Sequence, residues 1–175
     1  MAVLKIVPFS FEIISFIPEL SKYLSSILSH KVKVDNEILN IDKAYDPSRN
    51  QYYSTFILKQ LLKLKNKENE KVLGITSLDL YIPILTFVFG EAQLKGTAAI
   101  VSSFRLRTEY YGLPADEILL RERLIKESVH ELGHTFGLIH CPNFECVMHS
   151  STYVEEIDLK NVNFCEACHD FVFSD

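Results

Sequence analysis

The spacing of apolar and polar positions changes several times along the chain, and each change predicts an element. Val3 to Phe9 is short, largely apolar and rich in β-branched residues, which predicts a strand. From Phe11 to Leu28 apolar residues recur at helical intervals despite Pro18, so a helix is expected there. Lys31 to Val34 alternates charged and apolar residues, the pattern of a half-buried strand, and Asp46-Pro47-Ser48 marks a turn. Gln51 to Leu64 reads as an amphipathic helix with Ile57, Leu61 and Leu64 on one stripe, followed by a solvated connection from Lys65 to Glu70. Val72 to Thr76, Leu85 to Phe89 and Ala98 to Ser102 are short apolar runs bounded by Gly, Pro or charge, hence strands. Pro114 stands where a helix can begin, and Ala115 to Phe136 predicts a helix of about twenty residues that stops at Gly137. Beyond it, His140 to Asp175 lacks long periodic segments and is rich in metal-ligand residue types. That stretch is expected to be held by metal rather than by burial. The organisation expected is a single domain over residues 1–175, with a sheet-and-helix lobe at 1–137 and a metal-bound lobe at 138–175.

Length and composition narrow the classes open to such a pattern. A chain of 175 residues, 47% hydrophobic and 23% charged, suits one folded domain with a sizeable core. The net charge of -5 comes without a basic cluster, the densest run from Lys59 to Lys71 being interrupted by Leu, Asn and Glu, so no nucleic-acid partner is expected. The apolar start, Met1 to Leu20, is broken by Pro8, Glu12 and Pro18 and has no small-residue cleavage site after it. No run reaches the roughly 20 apolar residues that span a bilayer. A cytoplasmic monomer without a membrane partner is the expectation. All four cysteines, Cys141, Cys146, Cys165 and Cys168, lie after His140, and in a reducing compartment such clustering favours metal over disulfides.

Two sets of residues carry the chemistry. His130-Glu131-Leu132-Gly133-His134 is an HExxH pattern, and on a helix the four-residue spacing returns both imidazoles to one face, about 6 Å apart along the axis. A tetrahedral zinc that keeps one position open for water needs a third ligand, and His140 stands three residues beyond Gly137, where a left-handed turn costs glycine little. Glu131, beside the first ligand but not part of the set, is placed to hold a zinc-bound water and accept its proton. Zinc lowers the pKa of such water to about 7, so hydrolysis of an amide at neutral pH is the implied reaction. The cysteines, separated by four residues in one pair and two in the other, suit a closed four-thiolate zinc of structural kind. Plainer readings exist for each set: two surface histidines, a pair of disulfides, or a redox Cys165-x-x-Cys168 motif without its βαβ context. At the level of function, the alternative to a protease is a non-catalytic zinc-binding module that recognises peptides.

The complete string from His130 to His140, with Met148 downstream, is similar to the metzincin signature. Taken with His140-Cys141, Cys146-Val147-Met148 and Cys165-Glu166-Ala167-Cys168, it resembles one family closely, the archaemetzincins. Arg49-Asn50-Gln51-Tyr52, Leu73-Gly74-Ile75-Thr76, Asp79-Leu80-Tyr81 and Phe87-Val88-Phe89-Gly90-Glu91-Ala92 echo the same family upstream. The resemblance implies a zinc metalloprotease acting on peptides or proteins, with two zinc ions per chain. It places catalytic zinc on His130, His134 and His140, the general base at Glu131, Met148 in a turn beneath the metal, and structural zinc on Cys141, Cys146, Cys165 and Cys168. It also implies a compact α/β domain with a mixed sheet, a backing helix, an active-site helix and a small zinc-stabilised C-terminal lobe. An edge strand should face the active-site helix across a cleft, and Leu85 to Phe89 is the candidate. His149 and His169 are expected to have surface or supporting roles, and His30 to sit at a strand edge.

Overall fold

A computed structural model describes residues 2–9, 11–37, 39–65 and 69–174 of the chain. The main sheet is built from β1 (Val3–Pro8), β2 (Lys31–Val34), β5 (Glu70–Thr76), β7 (Gly90–Ala92) and β8 (Ala98–Ser102), in the order β2-β1-β5-β8-β7. Four strands are parallel and β7 runs antiparallel at one edge, so the sheet is mixed. Alternate residues of the inner strands point to opposite faces, and both faces are buried. Leu4, Ile6, Leu73, Ile75, Ala99 and Val101 join the core on one side, and Val7, Val72, Ala98 and Ile100 the core on the other. This double burial explains why the strands read as short apolar runs.

Helices α1 (Ile17–Leu28) and α3 (Glu117–Phe136) cover the first face, and α2 (Ser54–Leu62) the second. The helix expected from Phe11 begins as a 3-10 turn over Phe11–Phe16 and becomes regular at Ile17, with Pro18 in the first turn where its missing N–H is harmless. The helix expected from Ala115 starts two residues later. Asp116 caps it, its carboxylate accepting the Leu119 N–H at 2.9 Å, and Gly137 in the left-handed region ends it. At its far end Lys71 Nζ donates to the Thr135 carbonyl at 2.8 Å, a cation on the negative end of the helix.

Two of the expected elements are corrected. Gln51–Tyr53 is not helical: it forms β4, paired with β3 (Tyr45–Asp46) and with β6 (Leu80–Tyr81) in a second, three-stranded sheet. The pairing partners lie elsewhere in the chain, so local periodicity carries no trace of them. Leu85–Phe89 is not a strand either. Its ladder contact is a single bridge between Leu80 and Val88, and the edge strand is β7, immediately after it. Ser54 and Thr55, opening α2, donate to the Glu91 carboxylate, which ties β7 to that helix. The connection expected at Lys65 to Glu70 lies partly outside the described residues, and its end belongs to β5, which starts at Glu70.

The C-terminal stretch contains α4 (Val154–Leu159) and α5 (Glu166–Phe173). Val147, Met148, Val154, Ile157 and Phe164 enter the same core as the sheet, so burial holds this stretch as well, contrary to the expectation of metal alone. Arg123 of α3 reinforces it, bridging both oxygens of Asp158 at 2.7 Å and donating to the Leu106 carbonyl at 2.8 Å. Among the described residues no helix is long and apolar enough to cross a membrane.

A pair of substitutions tests this division of the core. Leu20→Ala, at a fully buried position of α1, should cost about 2–5 kcal/mol. Leu159→Ala, on an exposed position of α4, should cost about 0.5 kcal/mol or less. Urea denaturation measures both, and equal losses would contradict the packing described.

Candidate metal centre and active site

The four-residue spacing on α3 brings the His130 and His134 rings together edge-to-face, with their Nε2 atoms 3.1 Å apart. Each ring is held from behind. His130 Nδ1 donates to the Val147 carbonyl at 2.8 Å and His134 Nδ1 to the Leu138 carbonyl at 2.7 Å, which leaves both Nε2 lone pairs facing the same point. Gly137, at φ 104°, turns the chain so that its own N–H reaches the His134 carbonyl and the Leu138 N–H reaches that of Gly133. His140 follows this turn, its ring centroid 5.4 Å from that of His130 and 5.1 Å from that of His134. The ligand nitrogens of all three lie within 4.8 Å of one another.

This donor set fits a zinc ion. Burial depresses the pKa of all three imidazoles, most strongly at His130, so they are neutral at neutral pH and offer lone pairs. Two acceptor nitrogens facing each other at 3.1 Å repel unless a cation lies between them, and zinc ligands at about 2.0–2.1 Å in a tetrahedron stand roughly 3.3–3.4 Å apart.

Glu131, buried beside His130, faces a cleft of about 330 Å³. Leu85 to Gly90 line one wall, while Glu127, His130, Glu131 and His140 line the other. Gly90 makes the fit possible: a Cβ there would stand 2.7 Å from Glu131 Cγ and 2.6 Å from the Ile100 carbonyl. Burial raises the Glu131 pKa well above the ordinary carboxylate range, and the neighbouring Glu127 and Glu91 raise it further.

The cysteines form the second set. Their sulfurs lie within 4.8 Å of one another, and Cys141 and Cys165 stand 3.8 Å apart, far beyond a disulfide bond of about 2.05 Å. Cys146 Sγ accepts the backbone N–H groups of Met148 and Cys165, each at 3.4 Å. Burial pushes the Cys146 and Cys168 thiols up, while the Cys168 backbone draws Cys165 down. A shared cation reconciles these environments, because it would hold four thiolates together.

The three histidines and the four cysteines singled out in the sequence therefore fall into two clusters. Met148 is fully buried, its sulfur against Gly133, and its carbonyl accepts the Cys141 N–H at 2.9 Å. His149 supports the turn by donating from Nδ1 to the Cys141 carbonyl at 2.8 Å. His169 is exposed, and His30 packs its ring on Phe136. Sequence reasoning missed Glu127 and Lys160, a buried pair at 3.3 Å whose Lys160 also donates to the His149 carbonyl at 3.0 Å. Glu127 had a faint signal, one turn before Glu131 on the same face of α3. Nothing near Lys160 in the chain marks it.

A mixed α/β frame that presents an HExxH helix to an open cleft defines the class of zinc-dependent metallopeptidases. Residues 11–172 match peptidase family M54. An archaemetzincin from Thermococcus kodakarensis is 38% identical over 174 residues, covering 96% of this chain and 94% of that one. The crystal structure of an archaemetzincin from Methanopyrus kandleri superposes with a TM-score of 0.82 at 38% identity, covering 98% of this chain and 93% of the other. A zinc-dependent peptidase from Methanocorpusculum labreanum superposes with a TM-score of 0.85 at 34% identity, over 97% and 99% of the two chains. The chain belongs to peptidase family M54, the archaemetzincins.

Gly90→Ala should retain metal on the histidines but lower turnover by about 100-fold, because displacing a reacting group by about 1 Å costs on that scale. Peptide turnover and zinc content measured on one preparation decide it. Wild-type turnover would mean that Glu131 does not need the space.

Proposed function

We propose that this chain hydrolyses peptide bonds in an extended peptide or protein segment lying in the cleft between Leu85–Gly90 and α3. His130, His134 and His140 would hold the catalytic zinc, and Cys141, Cys146, Cys165 and Cys168 a structural one. The observation that carries this reading is the convergence of three neutral imidazoles beside a buried carboxylate on an open cleft. Bound there, zinc would act as a Lewis acid on the scissile carbonyl and acidify an attacking water.

The chain's own residues account for the remaining chemistry. Glu131 accepts a proton from the attacking water and returns it to the departing amine, a role that its place on the cleft beside His130 allows. The Val147 and Leu138 carbonyls fix the ring orientations of His130 and His134, so the ligands do not reorganise as charge develops. The wall from Leu85 to Gly90, continuing into the edge strand β7, offers backbone along which an extended peptide can align. Met148 packs on α3 at Gly133, beside His134, and so would help to hold that ligand in place. The structural zinc would tie the C-terminal stretch to the turn that carries His140. We assign the protein to the cytoplasm as a monomer, where reduced cysteines remain available to metal.

Two measurements test the reading. Metal analysis of the purified protein should find about two zinc ions per chain, since both donor sets are complete. Four hydrogens missing from the non-reduced mass would instead reveal two disulfides. Glu131→Ala should keep its zinc and its fold while losing about 10²- to 10⁴-fold in peptide turnover. Undiminished cleavage by that variant would remove Glu131 from the chemistry, and a wild-type protein that binds peptides without cleaving them would favour a recognition module.

A further inference from the structure

Three of the upstream stretches that resemble the family, Arg49-Asn50-Gln51-Tyr52, Asp79-Leu80-Tyr81 and the run from Phe87 to Ala92, contain no metal ligand. The fold nevertheless brings them to one place, against the cleft wall opposite α3. Arg49 Nη2 donates to the Leu85 and Thr86 carbonyls at 2.9 and 3.0 Å. Gln51 Nε2 donates to the same Thr86 carbonyl at 3.0 Å and to Asp79 Oδ2 at 3.1 Å, while its Oε1 accepts Arg49 Nε at 3.0 Å. Asp79 in turn receives Arg105 through two parallel bonds of 2.7 Å. The Arg105 guanidinium lies 4.3 Å from the centre of the Phe87 ring, and that of Arg49 lies 4.2 Å from the Tyr81 ring.

Side chains thus take the backbone carbonyls that a neighbouring strand would otherwise pair. Val88 and Phe89 are tied to backbone by the bridge to Leu80 and by the Ser102 N–H on the Phe89 carbonyl at 2.8 Å, so it is the Leu85–Thr86 end of the wall whose position depends on these donors. Gln51 is buried and the Arg105–Asp79 pair nearly so, which makes the arrangement stiff rather than adaptable. We propose that Arg49, Gln51, Asp79 and Arg105 form a clamp that sets the Leu85–Phe89 wall at its distance from α3. They are positioning residues for peptide binding, acting on the substrate through the wall and not through the metal. The inference rests on the reading of this cleft as the peptide site.

Kinetics and hydrogen exchange test it together, with Arg49→Ala, Arg49→Lys and Gln51→Leu in the full-length, zinc-loaded protein. The probe is a peptide that the wild type cleaves in a library screen. Arg49→Ala and Gln51→Leu should raise KM by about tenfold or more at nearly constant kcat and unchanged zinc content, the signature of lost uniform binding. Arg49→Lys, which retains a cation and one donor, should recover part of the loss. Backbone amides of residues 82–90 should exchange faster in the Arg49→Ala and Gln51→Leu variants, while those of α3 keep their protection. Unchanged KM, or a fall in kcat that tracks zinc loss, would overturn the proposal. Should one of Arg49→Ala and Gln51→Leu fail to fold, exchange in the other decides alone, and wild-type exchange across the wall in that variant would overturn the clamp. If the wall loosens but the wild-type protein cleaves no peptide, the reading of the cleft as a protease site fails while the clamp stands.

Discussion

At the end of α3 the chain has to satisfy the last carbonyls of a long helix and send His140 back toward two imidazoles already fixed on that helix. A left-handed residue does both. Gly137 donates its N–H to the His134 carbonyl, the next N–H reaches Gly133, and the Leu138 carbonyl returns to accept His134 Nδ1. The same few peptide groups therefore cap the helix, orient the second ligand and aim the third. A side chain at Gly137 would be strained at φ 104° whatever the surrounding space, so this turn couples helix termination to ligand geometry.

The cysteine cluster is built onto that turn. His140 and Cys141 are consecutive, so their Cα atoms stand only about 3.8 Å apart and a single loop serves both donor sets. Met148 holds the loop from inside through its carbonyl bond to Cys141 and its sulfur against Gly133, and His149 holds it through the Cys141 carbonyl. The buried Glu127–Lys160 pair extends this support, since Lys160 also reaches the His149 carbonyl. Two separate ligand sets thus share one scaffold, in which apolar burial and hydrogen bonds act beside any bound metal.

Across the cleft the construction principle differs. The α3 side is rigid because it is helix, whereas the Leu85–Phe89 wall is irregular backbone fixed by guanidinium, amide and carboxylate groups from remote parts of the chain. Such a wall presents a shape without pairing its backbone fully into a sheet. Gly90 marks where the two constructions meet, the point at which the edge strand comes close enough to Glu131 to leave no room for a Cβ.

The sequence by itself determined the two donor sets, because they rest on short-range spacing. HExxH on a helix, glycine three residues later, His140 and the paired cysteines are all legible within a few turns of chain, and the helical period converts their spacing directly into direction. The parallel inner strands were legible too, since burial on both faces writes a largely apolar run. What only the tertiary structure decided were the elements whose partners are distant. Gln51–Tyr53 became a strand because Leu80–Tyr81 lies beside it, whereas Leu85 and Thr86 give their carbonyls to Arg49 and Gln51 and not to a neighbouring strand. The buried Glu127–Lys160 pair and the clamp belong to the same category. A hydrogen bond between residues more than twenty-five positions apart leaves no period in either segment, so only the folded chain brings its donor and acceptor into view.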